Sequence, residues 1–136
     1  MLERGVPVKI NGQEYRMVFT TAALLYVTKN YGSVEELGDV LDGSDNMGIE
    51  IALDLIALLV NQGIMLETSN LSPNNPDLMS IDKLLMFIDP GEIPSMINIV
   101  FDAIAAGMHM ERKTVSAEVD VVLEEFRSKN AEGAAE

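Results

Sequence analysis

The acidic turn that begins at Asp42 is the stretch whose residue types come nearest to a metal site. In "DGSDNMGIE", Asp42, Ser44 and Asn46 occupy alternate positions, as the oxygen ligands of a calcium-binding loop do. The sixth position is Met47 rather than glycine, and the twelfth is Leu53 rather than a bidentate glutamate. Because both positions that define the geometry of such a loop fail, we interpret the segment as a polar connection between helices and predict no metal site.

The other ionisable side chains do not form a recognisable catalytic pattern. His109 is the only histidine and the chain has no cysteine, so a histidine-based metal site and thiol catalysis are excluded. The adjacent pairs Glu35-Glu36 and Glu124-Glu125 would point about 100° apart on a helix, so neither pair converges on one substrate atom. No phosphate-binding loop, nucleophile elbow or zinc motif occurs in the sequence. We therefore predict a protein that is not an enzyme and needs no cofactor.

The charge of the chain limits its partners. The sequence has 22 acidic and 9 basic residues, a formal net charge of −13. Nucleic acids and anionic membranes attract clusters of Lys and Arg, and no basic cluster here exceeds Arg112-Lys113. We expect neither as a partner, and we expect the charge to keep an apolar-rich molecule soluble. The start "MLERGVPVKING" has no apolar signal-peptide region, so a cytoplasmic location is predicted.

The clearest local pattern is "VPVKINGQEYRMVF", which predicts a β-hairpin. Asn11-Gly12 favours the positive φ angles of a tight type I′ turn between two extended runs. Apolar residues alternate along both arms: Val6, Val8 and Ile10 on the first, and Tyr15, Met17 and Phe19 or Val18 on the second. A lone hairpin is marginally stable in water, so it must pack on helices or on a partner's strand.

Helical patterns follow the hairpin. The first predicted helix is "AALLYVTKNY", capped by Thr20 or Thr21 and ended by Gly32, and the second is "SVEEL", with a capping box of Ser33 and Glu36. The third runs from about Gly48 to Gln62 and is closed by Gly63, and the fourth, "IDKLLMFI", begins at Ser80 and is ended by Pro90 and Gly91. The last two are "SMINIVFDAIAAGMHM", with Pro94 in its first turn, and "TVSAEVDVVLEEFRSK". The last has an apolar stripe of Val115, Val119, Val122, Leu123 and Phe126. The segment "ETSNLSPNNPD" is predicted to be a surface loop.

These elements predict an α+β fold with an N-terminal β-hairpin followed by a mostly α-helical bundle of about five to six helices. We expect a single domain over residues 1–130 and a disordered tail over residues 131–136, because "NAEGAAE" has nothing to bury.

Two of the predicted helices have little polar surface. Polar residues form one narrow stripe on each helix: Glu50, Asp54 and Asn61 on the first, and Ser95, Asn98, Asp102 and His109 on the second. Such helices are either central to a fold or covered by another molecule. About fourteen helical residues span roughly 21 Å, less than a ~30 Å hydrocarbon core, so the first helix is not predicted to cross a membrane. The nine methionines either fill core gaps or form an adaptable binding surface.

The order of these segments resembles the tail assembly chaperones of long-tailed bacteriophages and prophages of Gram-positive hosts. The resemblance is carried by "VKINGQEYRMVFTTAAL", "KNYGSVEEL", the apolar helix ending in Gly63, and "VDVVLEEFRSKNAEG", and it runs from about Val6 to Gly133. The loop "ETSNLSPNNPD" is longer than expected for that family.

The resemblance implies a non-catalytic role in the cytoplasm of the host bacterium. Such proteins bind the long, helical tape measure protein, keep it soluble and deliver it to the tail tube protein. The tape measure protein, the tail tube protein and further copies of the chain are therefore the expected partners. We hypothesise that an apolar face meets client helices in a helix-in-groove mode. The face is expected to include some of Leu55, Leu58, Leu59, Val100, Phe101, Ile104 and Met108.

Two other functions stay open at this point. The first is a structural virion component, such as a head–tail connector or tail terminator that assembles through the hairpin. The second is a carrier that holds a small apolar ligand between the two apolar helices. An enzyme ranks below both because no catalytic motif is present.

Overall fold

The chain opens with the hairpin that its Asn11-Gly12 pair predicts. In the computed structural model, which describes residues 4–41 and 45–110, strand β1 (Val6–Ile10) pairs antiparallel with strand β2 (Gln13–Met17). Asn11 (φ 54°) and Gly12 (φ 77°) both adopt the left-handed conformation that a type I′ turn requires. The predicted hairpin is confirmed.

One face of the hairpin is buried against helices. Val8, Ile10 and Met17 are buried, whereas Lys9 and Glu14 on the opposite face are exposed. This alternation follows from the two-residue period of a strand. The hairpin therefore contributes its apolar face to the core of the helical part of the fold.

Local capping signals set the first two helices. Helix α1 (Thr21–Tyr31) begins where the Thr20 hydroxyl accepts a hydrogen bond from the Ala23 N–H, and it ends at Gly32 (φ 91°). Helix α2 (Val34–Val40) begins where Ser33 accepts from the Glu36 N–H at 3.1 Å. The predicted starts and the Gly32 stop are confirmed.

Helix α3 (Asn46–Thr68) is longer than the sequence predicts. The Asp45 carboxylate caps its start by accepting from the Gly48 N–H at 2.7 Å, and Ser69 (φ 54°) ends it. The predicted span of Gly48 to Gln62 is therefore too short at both ends. The polar connection predicted from Asp42 is also shorter than expected, since its residues from Asn46 onward are helical.

Gly63 lies inside α3 and does not end it. A Cβ atom at this position would clash with the backbone carbonyl oxygen of Arg16 in β2. Nearby, the Val18 N–H donates a hydrogen bond to the Leu59 carbonyl oxygen at 3.1 Å. Glycine is therefore required here because the strand backbone approaches the helix closely, not because the helix stops.

The length of α3 in the structure overturns the length argument against a membrane span. Its 23 residues extend roughly 34 Å at 1.5 Å per residue. Among the described residues, α3 is long and apolar enough to cross a membrane, with a mean hydropathy of 1.8 over its most apolar window, half of which is buried inside the fold. The core helix of a soluble protein passes the same test, so composition alone does not distinguish the two locations.

The loop after α3 is held by hydrogen bonds of its own side chains. Asn75 is buried; its amide donates to the Thr68 hydroxyl at 3.0 Å and to the Asn70 carbonyl at 3.1 Å. Its side-chain oxygen accepts from the Asp77 N–H at 2.9 Å. The predicted loop is therefore present, but it begins after Thr68 and has a defined internal structure.

The last two described helices follow this loop. Helix α4 (Ile81–Phe87) is capped by Ser80, and a 3₁₀ turn (Pro90–Glu92) leads into helix α5 (Ile93–Gly107). Pro94 lies in the first turn of α5, as predicted, but α5 ends at Gly107 rather than at Met110. At Gly107 the helix backbone runs against Phe19 so closely that a Cβ would clash with the Phe19 carbonyl.

The described part of the chain thus has a hairpin followed by five α-helices, which confirms the α+β class. Buried residues from β1 to α5 belong to one hydrophobic cluster. The predicted final helix within "TVSAEVDVVLEEFRSK", the domain end at residue 130 and the tail over residues 131–136 lie outside the described residues.

Candidate functional site

Five of the seven residues predicted to meet a partner lie in the hydrophobic core. Leu55, Leu59, Val100, Phe101 and Ile104 are each at most 1% exposed. Helices α3 and α5 pack on each other and on the hairpin, so their apolar faces are covered within the fold. These five residues therefore present no exposed face in this structure, and the hypothesis that some of the seven meet a client stays a prediction. The alternative that a helix apolar on nearly all sides is central to its fold applies instead.

The other two predicted residues are closer to the surface. Leu58 is half-buried and packs against the core, and Met108 is 42% exposed just after the end of α5. A surface for a partner must therefore be sought elsewhere on the molecule.

Helix α4 packs on the core through only two strongly buried side chains. Leu84 is fully buried, and Ile88, four residues later, is 7% exposed. Residues four apart share one face of a helix, so these two side chains hold α4 by one side only.

The remaining apolar side chains of α4 are exposed to solvent. Leu85 is 57% exposed and Met86 is 81% exposed, and Ile81 and Phe87 are each more than a third exposed. We call these four residues the α4 apolar surface; at about 100° per residue they lie around the helix on both sides of the buried anchor rather than along one line. Asp82 and Lys83 are the two charged residues of the helix.

Exposed large apolar side chains are more concentrated on α4 than on the other described elements of the chain. Exposed large apolar residues occur singly elsewhere: Leu25 on α1, Val40 on α2, Met47 on α3, Leu71 in the loop and Met108 after α5. Single exposed apolar residues are normal, whereas several on one short helix indicate an interaction site. Sequence reasoning missed it, although "IDKLLMFI" has six apolar residues among eight, more than a one-sided anchor needs.

An amide side chain of α3 fixes the position where α4 starts. The Asn61 side chain accepts a hydrogen bond from the Met79 N–H at 2.6 Å and donates one to the Met79 carbonyl at 2.9 Å. Met79 directly precedes Ser80, the cap of α4. Asn61, a residue of the polar stripe predicted on this helix, is half-buried, and its polar atoms bind the backbone before α4.

Asp54, a second polar residue of the predicted stripe, also forms hydrogen bonds within the fold. The Asp54 carboxylate accepts hydrogen bonds from the Tyr26 hydroxyl at 2.8 Å and from the Tyr31 hydroxyl at 2.5 Å. The two rings pack edge to face with centroids 6.5 Å apart. Burial raises the pKa of both tyrosines, and the hydrogen bond to Asp54 raises it further because the carboxylate favours the protonated phenol. We interpret this cluster as a polar link between α1 and α3.

The described residues contain no group of three or more His, Asp or Glu side chains that could hold a metal ion. His109 lies in the turn after α5 with φ 58°, beyond the end of the helix. The absence of catalysis remains a prediction. The feature that stands out in residues 4–41 and 45–110 is therefore the concentration of exposed apolar side chains on α4.

Comparisons with protein-family models, with characterised proteins and with solved structures give no match to this chain. The resemblance to tail assembly chaperones thus stays a prediction made from the sequence.

Proposed function

We propose that this protein is a non-catalytic assembly chaperone that binds an apolar helical client through the α4 apolar surface. The client we propose is the tape measure protein of a long-tailed bacteriophage, and the place of action is the cytoplasm of the host. The observation that carries the proposal is the concentration of exposed apolar side chains on one short helix, with Leu85 and Met86 more than half exposed. The sequence resemblance supplies the identity of the client.

The size of this surface suits reversible binding. Fully burying an exposed Leu or Met side chain is worth about 1.5–3 kcal/mol. Leu85 and Met86 are 57% and 81% exposed, so covering them supplies on the order of 2–4 kcal/mol together. Association costs on the order of 4–15 kcal/mol in lost freedom, so a single such contact is weak. A long helical client with many apolar segments would recruit several copies and release them when the tail tube replaces them.

The charge of the chain supports the same role. A chaperone coated on an apolar client must keep the complex dispersed, and a net charge of −13 on each copy provides mutual repulsion. The α4 apolar surface supplies attraction to the client, while the acidic remainder limits attraction between complexes.

Co-expression with the tape measure protein of the same phage tests the function. We expect the tape measure protein to be soluble when this chain is present and insoluble when an unrelated acidic protein of similar size replaces it. Equal solubility in both cases would refute the proposal. Recovery of this chain from purified phage particles by mass spectrometry would instead support a structural virion component.

A further inference from the structure

An exposed carboxylate lies beside the two most exposed side chains of the α4 apolar surface. Asp82 precedes Leu85 by three residues and Met86 by four, and residues at these spacings are neighbours on a helix. Asp82 is exposed, and no group within residues 4–41 and 45–110 forms a hydrogen bond or ion pair with its carboxylate. A molecule that covers Leu85 and Met86 therefore also takes this carboxylate out of water.

Helix α2 shows which part of this arrangement is particular to α4. Like α4, it has seven residues, begins after a serine cap and has an acidic residue in its second position, Glu35. The helix dipole favours an acid in the first turn of both helices. The residues three and four after Glu35 are Gly38 and Asp39, so neither neighbour presents an apolar side chain. What distinguishes α4 is a carboxylate beside two exposed apolar side chains.

The wider surroundings of the α4 apolar surface are also negative. Residues 77–92 contain four acidic residues and one basic residue, a net charge of −3, and all five are exposed: Asp77, Asp82, Asp89, Glu92 and Lys83. Lys83 precedes Met86 by three residues and Phe87 by four, so it lies on the side of Met86 away from Asp82. A second copy of the chain, or an acidic helix, would bring further negative charge to this contact and be repelled at neutral pH. A partner that complements the surface is apolar and basic.

We propose that the α4 apolar surface takes a cationic amphipathic helix, in which a Lys or Arg lies within one turn of the apolar residues that cover Leu85 and Met86. The basic side chain pairs with the Asp82 carboxylate as that group loses its water. A carboxylate buried without a partner is strongly unfavourable, and a charge-assisted hydrogen bond from Lys or Arg offsets that cost. An apolar helix that lacks a basic residue at this position is thereby rejected. The inference rests on the proposed function only for the helical form of the partner.

Two synthetic helical peptides test this pairing on the full chain. Both have the same leucine face, and the positions that flank this face are Lys in the first peptide and Gln in the second. In about 0.15 M salt, which screens distant charges, the unmodified protein should bind the lysine peptide about tenfold more tightly, as measured by isothermal titration calorimetry. Asp82→Asn should remove most of this preference, because it removes the charge and keeps the shape of the side chain. Glu35→Gln is the matched control on α2 and should keep the preference.

Equal binding of both peptides by the unmodified protein, or no measurable binding of the lysine peptide, would overturn the proposal. Equal losses in Asp82→Asn and Glu35→Gln would also overturn it, because the attraction would then belong to the acidic chain as a whole. Leu85→Gln should weaken binding of the lysine peptide by about fivefold or more, since apolar contact is lost. Unchanged binding in Leu85→Gln would mean that the peptide does not lie on the α4 apolar surface.

A charge reversal supplies a second measurement. A third peptide, with Glu at the flanking positions, should bind Asp82→Lys more tightly than Glu35→Lys, although these two variants have the same net charge. Equal affinities would contradict a pairing at position 82. None of the peptides comes from a tape measure protein. Failure here would therefore leave the co-expression result standing, and failure of co-expression would leave the preference for cationic helices at Asp82 standing.

Discussion

At the scale of single residues, Gly63 sets the distance between the hairpin and the central helix. The Arg16 carbonyl oxygen of β2 occupies the place that a Cβ at position 63 would need, so the two backbones are in direct contact. The 3.1 Å hydrogen bond from the Val18 N–H to the Leu59 carbonyl depends on the same approach. This contact explains how a two-stranded sheet, marginal by itself, is stabilised by α3.

Gly63→Ala should therefore destabilise the protein. Alanine gains up to about 1 kcal/mol in helix propensity over glycine, but moving the hairpin away from α3 costs more because buried contacts along β2 are lost. We expect a net loss of roughly 2 kcal/mol in the free energy of unfolding, measured by urea denaturation.

Gly91→Ala is the matched control, since no atom lies within 4 Å of a Cβ built there. This variant should change the free energy of unfolding by less than about 0.5 kcal/mol. If Gly63→Ala proved as mild as Gly91→Ala, the close approach of β2 to α3 would be wrong.

The Asp54 cluster predicts a pH dependence at the alkaline end. The pKa values of Tyr26 and Tyr31 are raised in the folded state above the ordinary value of 10.0. Below pH 10 both phenols are protonated in the folded and unfolded chains, so their contribution to stability is constant. Above pH 10 the unfolded chain loses these protons first, and the free energy of unfolding should fall as pH rises.

Tyrosinate absorbance at 295 nm and urea denaturation over pH 9–12 check this prediction; the chain has three tyrosines and no tryptophan to interfere. Tyr31→Phe should flatten the alkaline loss of stability and, by removing a hydrogen bond to a charged group, cost about 1.5–3 kcal/mol near neutral pH. An unchanged slope above pH 10 in Tyr31→Phe would show that the phenol is not the titrating group.

At the scale of elements, α4 combines a buried anchor with exposed apolar side chains around the rest of the helix. Leu84 and Leu85 are adjacent in sequence, yet the first is fully buried and the second is 57% exposed. The double hydrogen bond between Asn61 and Met79 fixes where the helix begins and therefore which of these side chains points inward.

Alanine substitution at these neighbouring leucines should have opposite consequences for stability. Leu84→Ala removes a core side chain and should cost about 2–5 kcal/mol. Leu85→Ala should change the free energy of unfolding by less than about 0.5 kcal/mol. Similar costs for both variants in a denaturant titration would mean that α4 is rotated from the orientation described.

Helix and strand boundaries set by neighbouring residues were predictable from the sequence, whereas the exposure of apolar side chains was not. The Asn11-Gly12 turn and the Thr20 and Ser33 caps act on residues close in sequence, so their patterns identify them directly. Gly63 was misinterpreted as a helix stop because its role depends on a strand distant in sequence. The candidate site was missed for a related reason. Phe101 and Met86 are both apolar, and only packing determines that the first is buried and the second exposed.

At the scale of the whole molecule, a strongly acidic chain exposes several apolar side chains on α4. The formal net charge is −13 at pH 7, and the isoelectric point is ≈ 4.3. Repulsion between copies should therefore oppose association through the α4 apolar surface at neutral pH and fade as the pH approaches the isoelectric point.

Light scattering should consequently show an increasing average mass as pH is lowered from 7 toward 4.3. Leu85→Gln should reduce this association without a change in charge. Leu25→Gln changes a leucine of α1 that is 65% exposed, and it should leave this association unchanged. If the two variants associated equally, α4 would not be the surface involved.

The most direct test of the central claim is the affinity of two variants for the tape measure protein of the same phage. Leu85→Glu and Leu25→Glu make the same chemical change at exposed helical leucines, 57% and 65% exposed. Client binding at α4 predicts that Leu85→Glu lowers the affinity by about tenfold or more, because a charge would be buried in the interface. Leu25→Glu should bind like the unmodified protein. Equal affinities for both variants would contradict binding at α4.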